Sequence, residues 1–253
     1  MSATQRQWLF FPAAAAFLGL FLWGLSGLPP LGEYRGPYGD LLNGVAVAER
    51  HVTDVVTAIT FDYRGFDTLG EEYILFASIM GVLLLLRKQP DEAIRAPEDE
   101  APERDVPPTS EAVRVLSLGL VGLTVLMGIN VVTHGQLTPG GGFQGGVILG
   151  TAPLIVYLAG DFETFSRITS RERIELAEAV GAGGYVLIGL AGVAFGADFL
   201  ANVLPLGEVG SVASGGTLPL ISIAVGLAVS AGITLLSLSF LEETLVLRRP
   251  GEP

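Results

Sequence analysis

The sequence predicts an all-α, polytopic membrane protein of about six transmembrane helices plus one interfacial or packed helix. Three observations carry that expectation. Half of the 253 residues are hydrophobic, only 16% are charged, and the mean hydropathy is +0.56. The charges are bunched, and between them recur apolar windows long enough to cross about 30 Å of hydrocarbon. A glycine-rich stretch, Thr133 to Gly146 (THGQLTPGGGFQGG), breaks the helical pattern where two of those windows meet. Irregular backbone at membrane depth is tolerated only where it is buried in protein or faces water, because bare N–H and C=O groups are costly in lipid. The stretch therefore predicts partners or a polar pathway.

Trp8 to Leu28 is the first apolar run, with Pro12 inside it and Pro29-Pro30 at its end. Arg6 is its only positive flank and no small-residue cleavage site follows, so it reads as a retained span rather than a signal peptide. After a Gly/Pro/Tyr loop, Leu41 to Phe61 places Val52, Val55, Val56 and Ile59 at helical spacing. Glu49, Arg50, His51 and Asp54 make that segment too polar to face lipid, so it is the interfacial or packed helix. Thr68 to Leu86 is the second span.

Gln89 to Glu111 is rich in Pro and acid and nearly free of large apolar residues, which is the composition of a linker. It divides the chain into residues 1–88 and 112–253. Beyond it, Ala112 to Val132 is the third span and Val147 to Gly160 the core of the fourth. Asp161 to Arg173 reads as a charged turn. Ile174 to Leu200, opened by Ser170 as N-cap, is the fifth span, and Thr217 to Phe240 the sixth. Gly146/Gly150 and Gly192/Gly196 have the small-xxx-small spacing that lets helices approach closely.

Placing the N-terminus, the linker and the C-terminus in the cytoplasm puts eleven of the fourteen basic residues inside: Arg6, Arg87, Lys88, Arg95, Arg104, Arg114, Arg167, Arg171, Arg173, Arg248 and Arg249. Only Arg35, Arg50 and Arg64 are left outside, as the positive-inside rule requires. The expected location is the cell membrane, with the glycine stretch and residues 29–67 facing outward.

Composition also excludes classes. A net charge of −12 argues against nucleic acid and against a polybasic lipid-binding surface. Without Cys there is no disulfide, iron–sulfur cluster or thiolate metal site in this chain. His51 and His134 lie in unrelated segments, a poor basis for a bis-histidine haem. Gly140 to Gly145 spells GxGxxG but lacks the strand and βαβ setting that give the motif meaning. No HExxH, phosphate-gripping GxxxxGK[ST] or nucleophile triad occurs. The expectation is a chain that is not an enzyme and holds no cofactor.

Two constellations remain. In DYRGFDTLGE, Asp62, Arg64, Asp67 and Glu71, followed by Glu72, gather at the start of the second span. Carboxylates beside an Arg at a membrane boundary suit uptake of a monovalent cation or a proton relay. The same residues also read structurally: Thr68-x-x-Glu71 as a capping box, Asp67 and Glu71 at the positive end of the helix dipole, Asp62 paired with Arg64. The second constellation is the glycine stretch, where His134, Thr138 and Gln144, with Asn130, Thr133 and Gln136, surround a structural loop of Pro139, Gly140, Gly141, Gly142, Gly145 and Gly146. His134 changes charge near neutral pH and the Thr and Gln oxygens suit a desolvating ion. Alternatively Pro139 and the glycines form a tight turn, with His134 and Gln144 satisfying its backbone groups. Glu175 and Glu178 read as helix-start acids serving the dipole, and Asp161 and Glu163 as part of a solvated turn.

THGQLTPGGGFQGGVILG resembles the signature of the B subunit of Mrp-type multisubunit cation/proton antiporters, a resemblance that runs from Ala112 onward. DVVTAITFDYRGFDTLGE and the apolar run after it resemble the C-terminal extension of the large antiporter A subunit, found as a small separate subunit in membrane-bound hydrogenases. That covers residues 1–88, so the linker falls where two fused subunits would join. The resemblance implies an accessory subunit within a hetero-oligomeric membrane assembly in the lipid bilayer, with Na⁺ and H⁺ as its ions and the proton channels in larger partner subunits. It also places Asp62, Asp67 and Glu71 on the cation path. A membrane-arm subunit of a hydrogenase or related complex I-like respiratory complex is the alternative, and a purely structural assembly factor a third.

Overall fold

A computed structural model describes residues 3–28, 30, 32–33, 36–87, 109–160 and 162–247. Lys88, Arg95, Arg104, Arg248, Arg249, Arg35 and Asp161, and nearly all of the linker, lie outside those residues. Every regular element among them is helical: α1 Ala3–Ser26, α2 Pro37–Arg50, α3 Val55–Ala58 running into a π-helical turn Ile59–Tyr63, α4 Gly65–Leu85, α5 Glu111–Thr133, α6 Gly142–Ala159, α7 Phe162–Ile168, α8 Arg171–Ala194 and α9 Leu218–Leu247. Among these, α4, α5, α6, α8 and α9 are long and apolar enough to cross a membrane, and Phe10–Ser26 is a shorter apolar helix. The chain divides after Leu41 into two compact units. In the first, α1 carries Trp8, Phe17 and Trp23 exposed.

The second unit is built around α9, which buries Leu218, Ile221, Val225, Val229 and Leu235 almost completely. Its neighbours come close because they meet it with glycine. A Cβ added at Gly146 of α6 would lie 2.8 Å from Val229 Cβ, and one at Gly150 2.8 Å from Ile233 Cβ. Gly146/Gly150 is therefore a packing seam, as its spacing predicts. Gly192/Gly196 is not. Gly192 makes room for the returning loop, with Asp198 O at 2.6 Å from the position of a Cβ, and Gly196 sits in the turn after α8 with open space around it.

The glycine stretch is less of a loop than its composition suggests. Gly142, Gly145 and Gly146 are the first turns of α6 and are buried. Their composition serves close packing: a Cβ at Gly145 would come within 2.8 Å of Gly128 O on α5. Only His134 to Gly141 is irregular.

The polar segment 41–61 is not one helix. α2 stops at Arg50, His51 takes a left-handed backbone (φ 55°), and Asp54 restarts the chain as N-cap of α3. A left-handed conformation is unusual outside glycine, so helical spacing across it breaks. Ala46, Val52, Ala58 and Phe61 are still buried, in one cluster with Leu69, Tyr185 and α9.

Three local expectations change. Residues 162–168 are a short helix, not a solvated turn, because Phe162 and Phe165 bury against Leu238. Ser170 occupies the N-cap position of α8 without a side-chain hydrogen bond, and the helix begins at Arg171. Thr68 caps nothing: α4 starts at Gly65, and the Thr68 hydroxyl donates to Thr60 O at 2.7 Å, a carbonyl within the π-helical turn.

Candidate functional site

One end of the second unit gathers the segment 51–64, the turn 134–141 and the long loop 195–217. Hydrogen bonds latch the three together. Thr53 and Asp54 donate their backbone N–H groups to Gln136 O, at 3.1 and 3.3 Å, and Thr53 Oγ1 donates to Leu137 O at 2.7 Å. The Thr57 hydroxyl, 2.6 Å from Gly135 O and 2.8 Å from Asp54 Oδ2, holds one proton between two acceptors. Gln136, wholly buried, donates to Val212 O at 2.6 Å and Thr133 O at 3.2 Å. His51 Nδ1 lies 2.5 Å from Gly207 O. The carbonyls of Gly135, Gln136 and Leu137 are thus satisfied inside the chain, which lowers the cost of irregular backbone there.

Beside this latch opens a cleft of ≈ 570 Å³, lined by Arg50, Asp62, Tyr63, Arg64, Asp67, Asp198 and the backbone around Leu200 and Asn202. The π-helical turn aims Asp62 into it; such one-turn distortions recur at functional sites. Asp62 pairs with Arg50, not with Arg64: Arg50 Nε lies 2.9 Å from Asp62 Oδ1, and the carboxylate side chain is 9% exposed. Asn202 Nδ2 donates to Asp62 Oδ2 at 3.0 Å and to Gly215 O at 2.9 Å, and its Oδ1 accepts from Thr217 N. Arg64 Nε donates to Asp67 Oδ2 at 2.6 Å, both side chains being exposed. Leu200, on the cleft wall, holds φ 65° against the steric preference of a branched side chain.

Above Asp62, the Arg50 guanidinium lies 4.8 Å from the centre of the Tyr63 ring, and the Tyr63 hydroxyl donates to Glu49 Oε2 at 2.6 Å. Burial first, and then that bond to a carboxylate, push the Tyr63 hydroxyl up to about 12, with Arg50 opposing.

The structure brings Asp62, Arg64 and Asp67 to one cleft but not the rest of the sequence candidates. Glu71 is exposed and does not line it. Thr138 and Gln144 are exposed elsewhere, and His134 caps the end of α5 with Nδ1 3.1 Å from Asn130 O. Pro139 and Gly140 complete the turn, which closes where Gly141 N donates to Val131 O at 3.1 Å.

Two acids differ from their sequence reading. Glu72 on α4 and Glu178 on α8 are each 4% exposed and line one small cavity with Leu75, Phe76, Ile79, Ala182 and Ala228. Glu178 lies in the third turn of α8, too far in to serve its dipole. The signal that could have found Glu72 is its offset from Glu71: adjacent helical residues point about 100° apart, so one of the pair faces inward.

Fold and site together define a polytopic helical membrane subunit with a polar cleft at one end of its second unit. Residues 112–235 match the family described as a domain related to the MnhB subunit of Na⁺/H⁺ antiporter. The chain is 31% identical to an uncharacterized protein of Methanocaldococcus jannaschii over 87% of its own length and 88% of that protein's. It is also 31% identical, over 43% of its length, to a probable K⁺/H⁺ antiporter A/B subunit of Rhizobium meliloti, of which the match spans only 12%. Two solved structures share its fold. One chain of the membrane-bound sulfane sulfur reductase, an archaeal respiratory membrane complex, aligns with TM-score 0.69 and 29% identity over 95% of this chain and 98% of that one. A chain of the Mrp complex from a Dietzia species aligns with TM-score 0.70 and 25% identity over the whole of this chain and 27% of that one. Through residues 112–235 the chain belongs to the MnhB-related family of antiporter-type membrane subunits.

Proposed function

We propose that this chain is an accessory subunit of a Mrp-type multisubunit cation/proton antiporter module, contributing both to assembly and to the ion path, with Na⁺ and H⁺ as its ions. The observation that carries the reading is the full-length fold it shares with a chain of a Mrp complex, joined to the antiporter-subunit match over residues 112–235. In this reading residues 1–88 correspond to the C-terminal extension of the large antiporter chain, residues 112–253 correspond to its B-type neighbour, and the acidic linker fuses the two. The alignment with part of a longer Mrp-complex chain, and with part of a relative whose name joins A and B, supports that division.

The cleft is the part of the path this chain supplies. Asp62 and Asp67, each held by an Arg, lie at the end of the bundle that the positive-inside rule assigns to the exterior, Asp62 nearly buried at the cleft wall and Asp67 exposed. Glu71, exposed on α4, faces lipid or a neighbouring protein, and half-buried His134 and exposed Thr138 in the turn, with exposed Gln144 at the start of α6, offer such a neighbour polar contacts.

A second reading has its own support. The near end-to-end alignment with a chain of the sulfane sulfur reductase favours the same module coupled to a redox arm in a respiratory complex. Isolating the native complex through this chain and identifying every co-purifying protein by mass spectrometry decides between them. Antiporter-type membrane subunits without soluble companions are expected for the first reading, and cluster-binding soluble subunits for the second. Recovery of the chain alone and intact refutes both.

A further inference from the structure

The cavity between α4, α8 and α9 holds the two acids that neither the cleft nor the glycine turn uses. Glu72 and Glu178 each lie seven residues inside their helices, about 10 Å at 1.5 Å per residue. Each is 4% exposed, and Oε1 of each is buried with no hydrogen-bond partner. The rest of the lining is Leu75, Phe76, Ile79, Ala182 and Ala228. From α9, Gly232 covers the Glu178 carboxyl, since a Cβ there would lie 3.5 Å from Oε1. The other ionisable groups bearing on the pair are Glu71 of α4 and Glu175 and Tyr185 of α8, all acids, and no Arg, Lys or His lines the cavity.

Two carboxylates in an apolar chamber, with no cation beside them, cannot both stay ionised. The chamber measures ≈ 10 Å³, room for about one water. It offers too few oxygens for a bare metal ion, which wants a fuller shell of oxygen ligands. We propose that Glu72 and Glu178 form a proton-holding site inside the bundle, in which the two buried carboxyls take up and release protons. Uptake converts one carboxylate to a carboxylic acid, and release returns the proton to water or to a neighbouring acid. The placing of this site on a transport path rests on the antiporter-type reading above, whereas the protonation of the two acids does not.

The test is infrared difference spectroscopy of the purified native complex, titrated with pH, for the natural chain, Glu72→Gln, Glu178→Gln and the double variant. A carboxylic-acid C=O band is expected to persist where exposed carboxyls are already ionised. Each single variant keeps a weaker band, and the double variant loses it. Absence of the band from the natural chain, its survival in the double variant, or a band undiminished in both single variants overturns the proposal. The single variants suffice should the double variant not assemble. Loss of the natural band on adding Na⁺ at constant pH overturns it too, assigning the chamber to a cation. Proton flux in vesicles is expected to be lost in both single variants. Unchanged flux with the band correctly assigned refutes the path reading and leaves the proton site standing.

Discussion

The approach of α8 to α9 is a close backbone-to-backbone contact, and a pair of substitutions on one helix measures it. A Cβ at Gly181 would meet Ala228 N at 2.5 Å, Ala224 O at 2.7 Å and Ala228 Cα at 2.9 Å. All three are backbone atoms, so no side chain can rotate away and α8 must move as a body. Overpacking of this kind costs about 1–3 kcal/mol. Two residues further on, Gly183 has nothing within 4 Å of the same position. Either Gly→Ala change gains about 1 kcal/mol of helix propensity, so that contribution cancels between the variants and their difference isolates the clash. Gly181→Ala is expected to be less stable than Gly183→Ala by about 2 kcal/mol, roughly a 30-fold change in the folded-to-unfolded ratio. Titration of the purified full-length chain from mild detergent into sodium dodecyl sulfate, followed by circular dichroism, reads that ratio. Equal stability of the two variants, or a more stable Gly181→Ala, refutes the packing described for α8 and α9.

The tyrosine above the cleft gives a further prediction. Because its folded value is raised from 10.0 to about 12, Tyr63 contributes stability that is fully present below pH 10 and lost as pH rises from 10 toward 12. Alkaline titration of tyrosinate absorbance is expected to lose a component near pH 12 in Tyr63→Phe. Glu49→Gln, which removes the carboxylate that Tyr63 donates to, moves that component to lower pH. A component unmoved by either change refutes the assignment.

The membrane spans were legible because lipid imposes a length and an apolar composition that few other environments require. α5 begins and ends within a residue of its apolar window, and Ser110 caps it by accepting from Val113 N. What the sequence hid were features set by distant partners. The stop at Arg50 depends on Gln136 O receiving two N–H groups from Thr53 and Asp54, a contact made across more than eighty residues. Asp62 faces Arg50 and Asn202 because the π-helical turn rotates it from its neighbour Arg64, and no local pattern marks that extra residue. Placing the start of the fifth span at Ile174 rather than Arg171 hid the depth of Glu178 by most of a turn, enough to make a buried acid look like a helix-start acid. Gly142 and Gly145, which read as parts of a structural loop, instead serve the close approach of α6 to α9 and α5.

Whether the cleft acids belong to an ion path is tested most directly in the native complex reconstituted into vesicles, with Asp62→Asn, Asp67→Asn and Glu71→Gln introduced singly. Assembly is read from the co-purifying subunits and coupling from Na⁺-dependent proton flux. Intact assembly is expected throughout, with coupling lost in Asp62→Asn and weakened in Asp67→Asn and Glu71→Gln. Natural levels of flux in all three assembled variants would contradict the path, and loss of assembly in Asp62→Asn would reassign the Arg50–Asp62–Asn202 cluster to scaffolding.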